Sequence, residues 1–358
     1  MPLRLHLGLQ RVLLACLPLL LLATPGLAYA GCANAPLHWA KTSVNENDQA
    51  VEHLTIRAHA GGGLDTFIRF SLANAGFKHG ELTVTLKQEA VGGTYYAKET
   101  FKRGEYTIFS DRFGLRAGKH LIEVKNGVLE GTMAFANGVQ ASFSMTASIG
   151  TMTAADRSGS GYIFREALIP MGRLTLNASD AGGRTLVGHT ATGFAMHDAS
   201  TATAHRVYDR AIQLHHMNAG SYLVVDYIVL AEERGHRPLG FLIASGKGRT
   251  FAGEIAKEMR DNEKVDEKVD YRVPWQVSVL AKRGDTRAAV RLVADKQVER
   301  EDDLADLNYL ARKAVGTLMH PISYTLKGVA TAELQSGTTD PPVTWDANIR
   351  YKYAQVRE

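Results

Sequence analysis

The sequence predicts an all-β protein of two antiparallel β-barrels or sandwiches in tandem, with one short helix in the second. Three observations carry this. Apolar and polar residues alternate with period two along most of the chain. Asn-Gly, the strongest short hairpin signal, separates alternating runs at Asn126-Gly127 and again at Asn137-Gly138. The 358 residues suit about two domains, and the strand texture repeats on both sides of a small-residue connector, Ala199 to Ala204.

Taken in order, Phe67 to Leu72 is a strand, and so is Glu81 to Lys87, with Leu82, Val84 and Leu86 on one face. Tyr95 to Phe101, Glu105 to Phe109, His120 to Lys125, Val128 to Phe135 and Val139 to Ala147 follow. Gly61-Gly62-Gly63, Gly92-Gly93 and Arg103-Gly104 mark turns. Tyr162 to Leu176 reads as one long strand or two, bent at Pro170 or Gly172, and Arg184 to Met196 as another. In the second half, Arg206 to Leu214, Tyr222 to Ala231, Leu239 to Ala244, Val273 to Leu280, Ala288 to Val293 and Ile322 to Leu334 are strands, with a last one in Val343 to Tyr353. Glu254 to Lys268 is charged without an apolar stripe and reads as an exposed loop or hairpin tip. Leu304, Leu307, Leu310, Ala311 and Ala314 recur at helical spacing behind Asp302, Asp303 and Asp306, predicting a helix over 302–315. The expected domains are 31–199 and 200–358.

Residues 1–30 read as an address. Arg4 and Arg11 precede the apolar run Val12 to Leu22, and Ala28-Tyr29-Ala30 is a small-residue cleavage site, as in a secretory signal peptide. The run is too short to span a bilayer comfortably. Cys32 follows closely, and Ala30-Gly31-Cys32 carries the small residues that precede an acylated cysteine. Tyr29 stands where that signal has an aliphatic residue, so ordinary cleavage after Ala30 is favoured, with lipidation at Cys32 the alternative. Either way the expected location is outside the cytoplasm, periplasmic or secreted if the source is bacterial. Cys16 leaves with the leader, so Cys32 has no intrachain partner and the fold must stand on its core. Lys and Arg number 41 against 37 Asp and Glu. So balanced a surface gives no case for nucleic-acid binding.

Motifs that bind phosphate or activate a serine are missing: Ala60 to Gly63 leads into a strand, and Gly159-Ser160-Gly161 lacks the hydrolase frame. No cofactor is expected. Histidines cluster at His189, His197, His205, His215, His216 and His236. His189 and His197 would lie about 26 Å apart on a straight strand, too far for one metal ion. His197 with Asp198, and His215 with His216, could still meet across strands, but the spacing is no recognised metal pattern, and no metal is expected. His197, Asp198 and Tyr208 form an acid–base set only if they converge in a cavity.

Ala167 to Leu174, Gly188-His189 to His197, Ala204 to Tyr208 and Tyr222 to Tyr227 together resemble the midsection of the fungal survival-factor family. Glu105 to Phe113 and Gly316 to Tyr324 are similar to further patterns of that family. It belongs with tandem lipocalin-like proteins, a group that includes carotenoid 1,2-hydratases and fungal pericyclases. The resemblance implies two lipocalin-like barrels, a hydrophobic ligand and, for the survival-factor branch, ceramide or sphingolipid binding. The hydratases carry a Gly-Tyr-x-Asp-His-x-Trp-Gly type motif near Gly193 to Ser200; here His197 precedes Asp198 and no Trp follows. That departure counts against hydratase chemistry.

Three functions stay open on the sequence. The leading one is an exported protein that binds or transfers a lipid or other hydrophobic small molecule, touching a membrane surface. Its ligand site is placed where the two barrels meet, at Phe194, Met196 and Tyr208, with His197 as polar anchor. The second is an enzyme of hydratase or cyclase type on an isoprenoid-like substrate. The third is a structural envelope protein with filled barrels.

Overall fold

The computed structural model describes Leu37 and residues 50–356, except 62, 75–79, 91–92, 159–160, 202–206, 219, 303–319 and 338–339. The leader, Cys32 and most of the predicted helix lie outside the described residues.

Twelve strands form the first sheet: β1 (Ala50–Ala60), β2 (Leu64–Asn74), β3 (Glu81–Ala90), β4 (Gly93–Phe101), β5 (Tyr106–Ile108), β6 (Gly114–Ala117), β7 (His120–Lys125), β8 (Val128–Ala134), β9 (Gln140–Ala147), β10 (Met152–Asp156), β11 (Ile163–Ser179) and β12 (Thr185–Ser200). Their order is β4-β3-β2-β1-β12-β11-β9-β8-β7-β6-β5, with β10 paired to β11 outside this path. The sheet curls into a nearly closed barrel. The second is closed: β13 (Tyr208–Asn218), β14 (Ser221–Leu230), β15 (Pro238–Gly246), β16 (Arg249–Asp266), β17 (Tyr271–Arg283), β18 (Thr286–Asp302), β19 (Ile322–Gln335) and β20 (Val343–Gln355), with β13 returning to β20. Two lipocalin-like barrels in tandem are the architecture. No helix among the described residues is long and apolar enough to cross a membrane.

Local chemistry explains the corners. Asn126 and Gly127 both take positive φ, 51° and 76°, the primed turn that matches strand twist between β7 and β8. At Pro170 the β11–β12 register shifts between Ala167 and Ile169 and again before Gly172, because proline has no N–H for the ladder. Gly193 sits where a Cβ would lie 2.1 Å from the Arg57 carbonyl oxygen, so only glycine lets β12 close on β1 there.

Two elements differ from expectation. Glu254 to Asp266 is the end of strand β16, running to the tip of the β16–β17 hairpin, and not a loop: beyond Ile255 most of its residues are exposed on both faces, so no apolar stripe forms, while Tyr271 and Val273 of β17 turn into the barrel core. The Lys264 ammonium lies 3.0 Å from the Trp275 ring centroid and helps hold this hairpin. Asp302, the first residue of the predicted helix, closes β18 instead.

Inside the first barrel Ile56, Ile68, Leu82, Leu86, Leu129 and Leu174 are fully buried. The second is filled largely by Tyr227, Tyr324, Tyr351, Tyr353 and aliphatic side chains. A third apolar cluster joins the barrels: Ile163, Ala167, Phe194 and Met196 from the first, Tyr222, Val224, Phe241 and Ile243 from the second. Two buried ionic groups cross the same interface. Arg165 donates to Asp198 at 2.8 Å, to Asp226 at 2.7 Å and to the Leu239 carbonyl at 3.3 Å. Arg234, on a 3-10 turn over Glu232–Arg234, donates to Asp156 at 2.8 Å.

Candidate active site in the first barrel

β1 buries every second residue, and its inward row is Ala50, Glu52, Leu54, Ile56 and Ala58. One acid thus stands in an apolar row. On β12 the inward row includes Ala191, Ala195 and His197, and His197 lies in register with Leu54 of β1 and Glu166 of β11. The pairing brings Glu52, Glu166 and His197 together inside the barrel. Nε2–H of His197 donates to Glu52 Oε1 at 2.6 Å, and Nδ1–H donates to Glu166 Oε2 at 3.1 Å. The three groups are 2–6% exposed, so water cannot substitute for these bonds. Phe113 and Phe164 meet the imidazole edge-on, with centroids at 5.2 and 5.4 Å.

Burial works against a charge on His197, but hydrogen bonds from the ring to Glu166 and Glu52, and their charges, outweigh it and push its pKa up to about 9. The ring is therefore an imidazolium at neutral pH. Burial, with the Glu52 charge added, pushes the nearby Tyr162 hydroxyl up and keeps it protonated. Glu52 and Phe113 border an apolar cavity completed by Leu37, Phe70, Leu72 and Ile122. Its volume is about 10 Å³, room for about one water molecule. The arrangement can deliver a proton from an imidazolium, through a carboxylate, to something in a dry space. Among the described residues no group of three or more His, Cys, Asp or Glu is placed to hold a metal.

The residues singled out from sequence divide between two places. Phe194 and Met196 share one face of β12 and pack in the inter-barrel cluster, with Tyr208 against its edge. His197 points the opposite way, into the first barrel, so it does not anchor a ligand held by the other three. His197 and Asp198 part for the same reason, Asp198 turning outward to Arg165. His215 faces the interface, donating to Asp226 at 3.1 Å, whereas His216 bonds Ser221. Glu52 and Glu166 escape a motif search because they are far apart in sequence from His197; the signal available was an acid interrupting an apolar period-two row.

Met196 tests the packing. Met196→Ala is expected to cost about 2–5 kcal/mol, as in a filled core. Urea unfolding reads it; a loss under about 1 kcal/mol would show that the site relaxes as a loosely filled wall does.

No family model and no curated protein matches this chain. Solved structures of similar shape include a protein assigned as AttH from Nitrosomonas europaea, 11% identical, covering 90% of this chain and 97% of its own, with a TM-score of 0.44. CghA with Sch210972 is 9% identical over 92% of this chain and 94% of its own, with a TM-score of 0.48. Kievitone hydratase from Nectria haematococca is 10% identical over 92% of this chain and 98% of its own, with a TM-score of 0.43. Likeness at this level assigns neither activity nor residue roles to this chain.

Proposed function

We propose that the first barrel is the catalytic unit of an enzyme that transfers a proton to an apolar substrate, in the manner of a hydratase or cyclase. The observation that carries this is the charged His197 locked between Glu52 and Glu166 beside an apolar cavity. Glu52 borders the cavity and is the group that meets substrate. His197 holds the proton that replenishes it, and Glu166 fixes the ring's orientation. A buried ionic triad is costly to keep and gains stability poorly, so its presence inside the barrel favours chemistry.

The test is incubation of the protein with a panel of isoprenoid alkenes and alcohols in deuterated buffer, read by mass spectrometry. Deuterium incorporation or the gain of water is expected with the wild type, falling about 100-fold or more in Glu52→Gln and His197→Gln. Conversion undiminished in a folded His197→Gln variant would overturn the assignment. Export belongs to the same proposal and rests on Arg4, Arg11 and the Val12 to Ala30 sequence. Recovery of the protein from its host's cytosol with Met1 to Ala30 intact would remove it.

A further inference from the structure

On the outward face of the first barrel, Arg57 lies opposite Phe67, and Phe67 opposite Lys87. The Arg57 guanidinium covers the Phe67 ring at 5.0 Å from its centroid. His215 and Met217 of β13 supply the facing wall, and the cleft between the barrels measures about 370 Å³. That is the size of a small-molecule site. Arg57 and Glu52 have opposite parity on β1, so the sheet separates this cleft from the acid–base triad.

The acids in and behind the cleft already have partners. Asp65 accepts from His59 at 2.7 Å, and Glu89 pairs with Lys87. Asp226, deeper, is held by Arg165 and by His215. The Arg57 side chain is left over: among the described residues its guanidinium makes no hydrogen bond and no ion pair, and its contact is with the Phe67 ring. Burial lowers its pKa, and the like charge of Arg69 adds to this, while Asp226, Asp65 and Glu89 act only at a distance. Arg69 itself, opposite Thr55, has a buried Nε without a hydrogen-bond partner. Two guanidinium groups thus stand desolvated on one sheet face, Arg57 lining the cleft and Arg69 beyond its lining, and among the described residues no carboxylate is bound to either. A guanidinium is a planar fork suited to carboxylate or phosphate, and stacking on Phe67 fixes its plane in advance.

We propose that this cleft binds the anionic end of a small organic molecule, a carboxylate or phosphate received by Arg57, with the apolar remainder against Phe67 and Met217. The bound anion supplies the direct partner that no described carboxylate gives to the Arg57 guanidinium.

Isothermal titration of the full chain at pH 7 in low-salt chloride buffer tests it, with octanoate and inorganic phosphate as separate probes. At least one probe is expected to bind one to one with a Kd of about 1 mM or tighter, weakening about tenfold or more in Arg57→Gln. Octanoate alone identifies a carboxylate amphiphile; phosphate alone identifies a phosphoryl group. Glu52→Gln should leave this binding unchanged while abolishing the proton-transfer activity, which separates the two proposals. Should Arg57→Gln fail to fold, Arg57→Lys keeps the charge, removes the fork and should still weaken binding several-fold. A wild type that binds neither probe, or Arg57 variants that bind as tightly as wild type, overturns the proposal.

Discussion

Replacing Arg165 with methionine is expected to destabilise the protein by about 3–5 kcal/mol, because it strands a buried carboxylate. Asp226 is 4% exposed and Arg165 6% exposed. Burial raises the Asp226 pKa, but the Arg165 and His215 charges and hydrogen bonds outweigh it and hold it at about 2. Without Arg165, the described partner left to Asp226 is the His215 ring, which donates to it at 3.1 Å. The double variant Arg165→Met/Asp226→Leu should recover most of the loss, since apolar groups of similar size replace buried ion pairs at little cost. Urea denaturation of wild type, both single variants and the double variant measures the cycle. If Arg165→Met loses under about 1 kcal/mol, water reaches the pair and the barrels are not locked there.

Stability should also fall on both sides of a plateau between about pH 4 and pH 6.5. The acid side comes from Asp226, with a folded pKa of about 2 against an ordinary value of 3.8. A depressed pKa contributes stability present above the unfolded value, and about 2 kcal/mol is lost as pH falls through 2. The alkaline side comes from His197, raised from 6.5 to about 9. A raised pKa contributes fully below the unfolded value, and about 3 kcal/mol is lost as pH rises through 9. His197→Leu should lose at least as much at pH 6, since it leaves Glu52 and Glu166 without their common donor. That variant should show no alkaline loss between pH 6.5 and 10. Denaturation midpoints from pH 3 to 10 distinguish these profiles. A wild-type midpoint flat from pH 6.5 to 10 would place His197 outside any strong ionic contact.

Much of the fold was legible because β-structure writes its period into the sequence. Asn126-Gly127 named its turn, Leu82, Val84 and Leu86 named their face, and Pro170 marked a bend that became a double register shift. β1 was harder to see: in Ala50 to Ala60 the inward row is interrupted by Glu52 and the outward row mixes Val51, His53, Thr55 and Arg57. The candidate site was legible only in part for a related reason. Phe194, Met196 and His197 are neighbours in sequence, yet period two sends adjacent residues to opposite faces. What joins His197 to Glu52 is the β1–β12 pairing, a contact across 145 positions that no local pattern announces.

That pairing has a consequence for how the chain comes into being. The first barrel's wall is incomplete until β12, the last of its strands to be synthesised, docks on β1, the first. The consecutive hairpins of β1 to β4 and of β5 to β9 can pair as the polypeptide emerges, but the wall stays open until this last contact forms, and long-range closure of this kind is slow. Even then the outer face of β12 presents Phe194 and Met196 bare until the second barrel covers them. A chain cut after Ser200 should accordingly aggregate as it forms, and a partner that shields nascent apolar surface should be needed most between the completion of the first barrel and the arrival of β14 and β15.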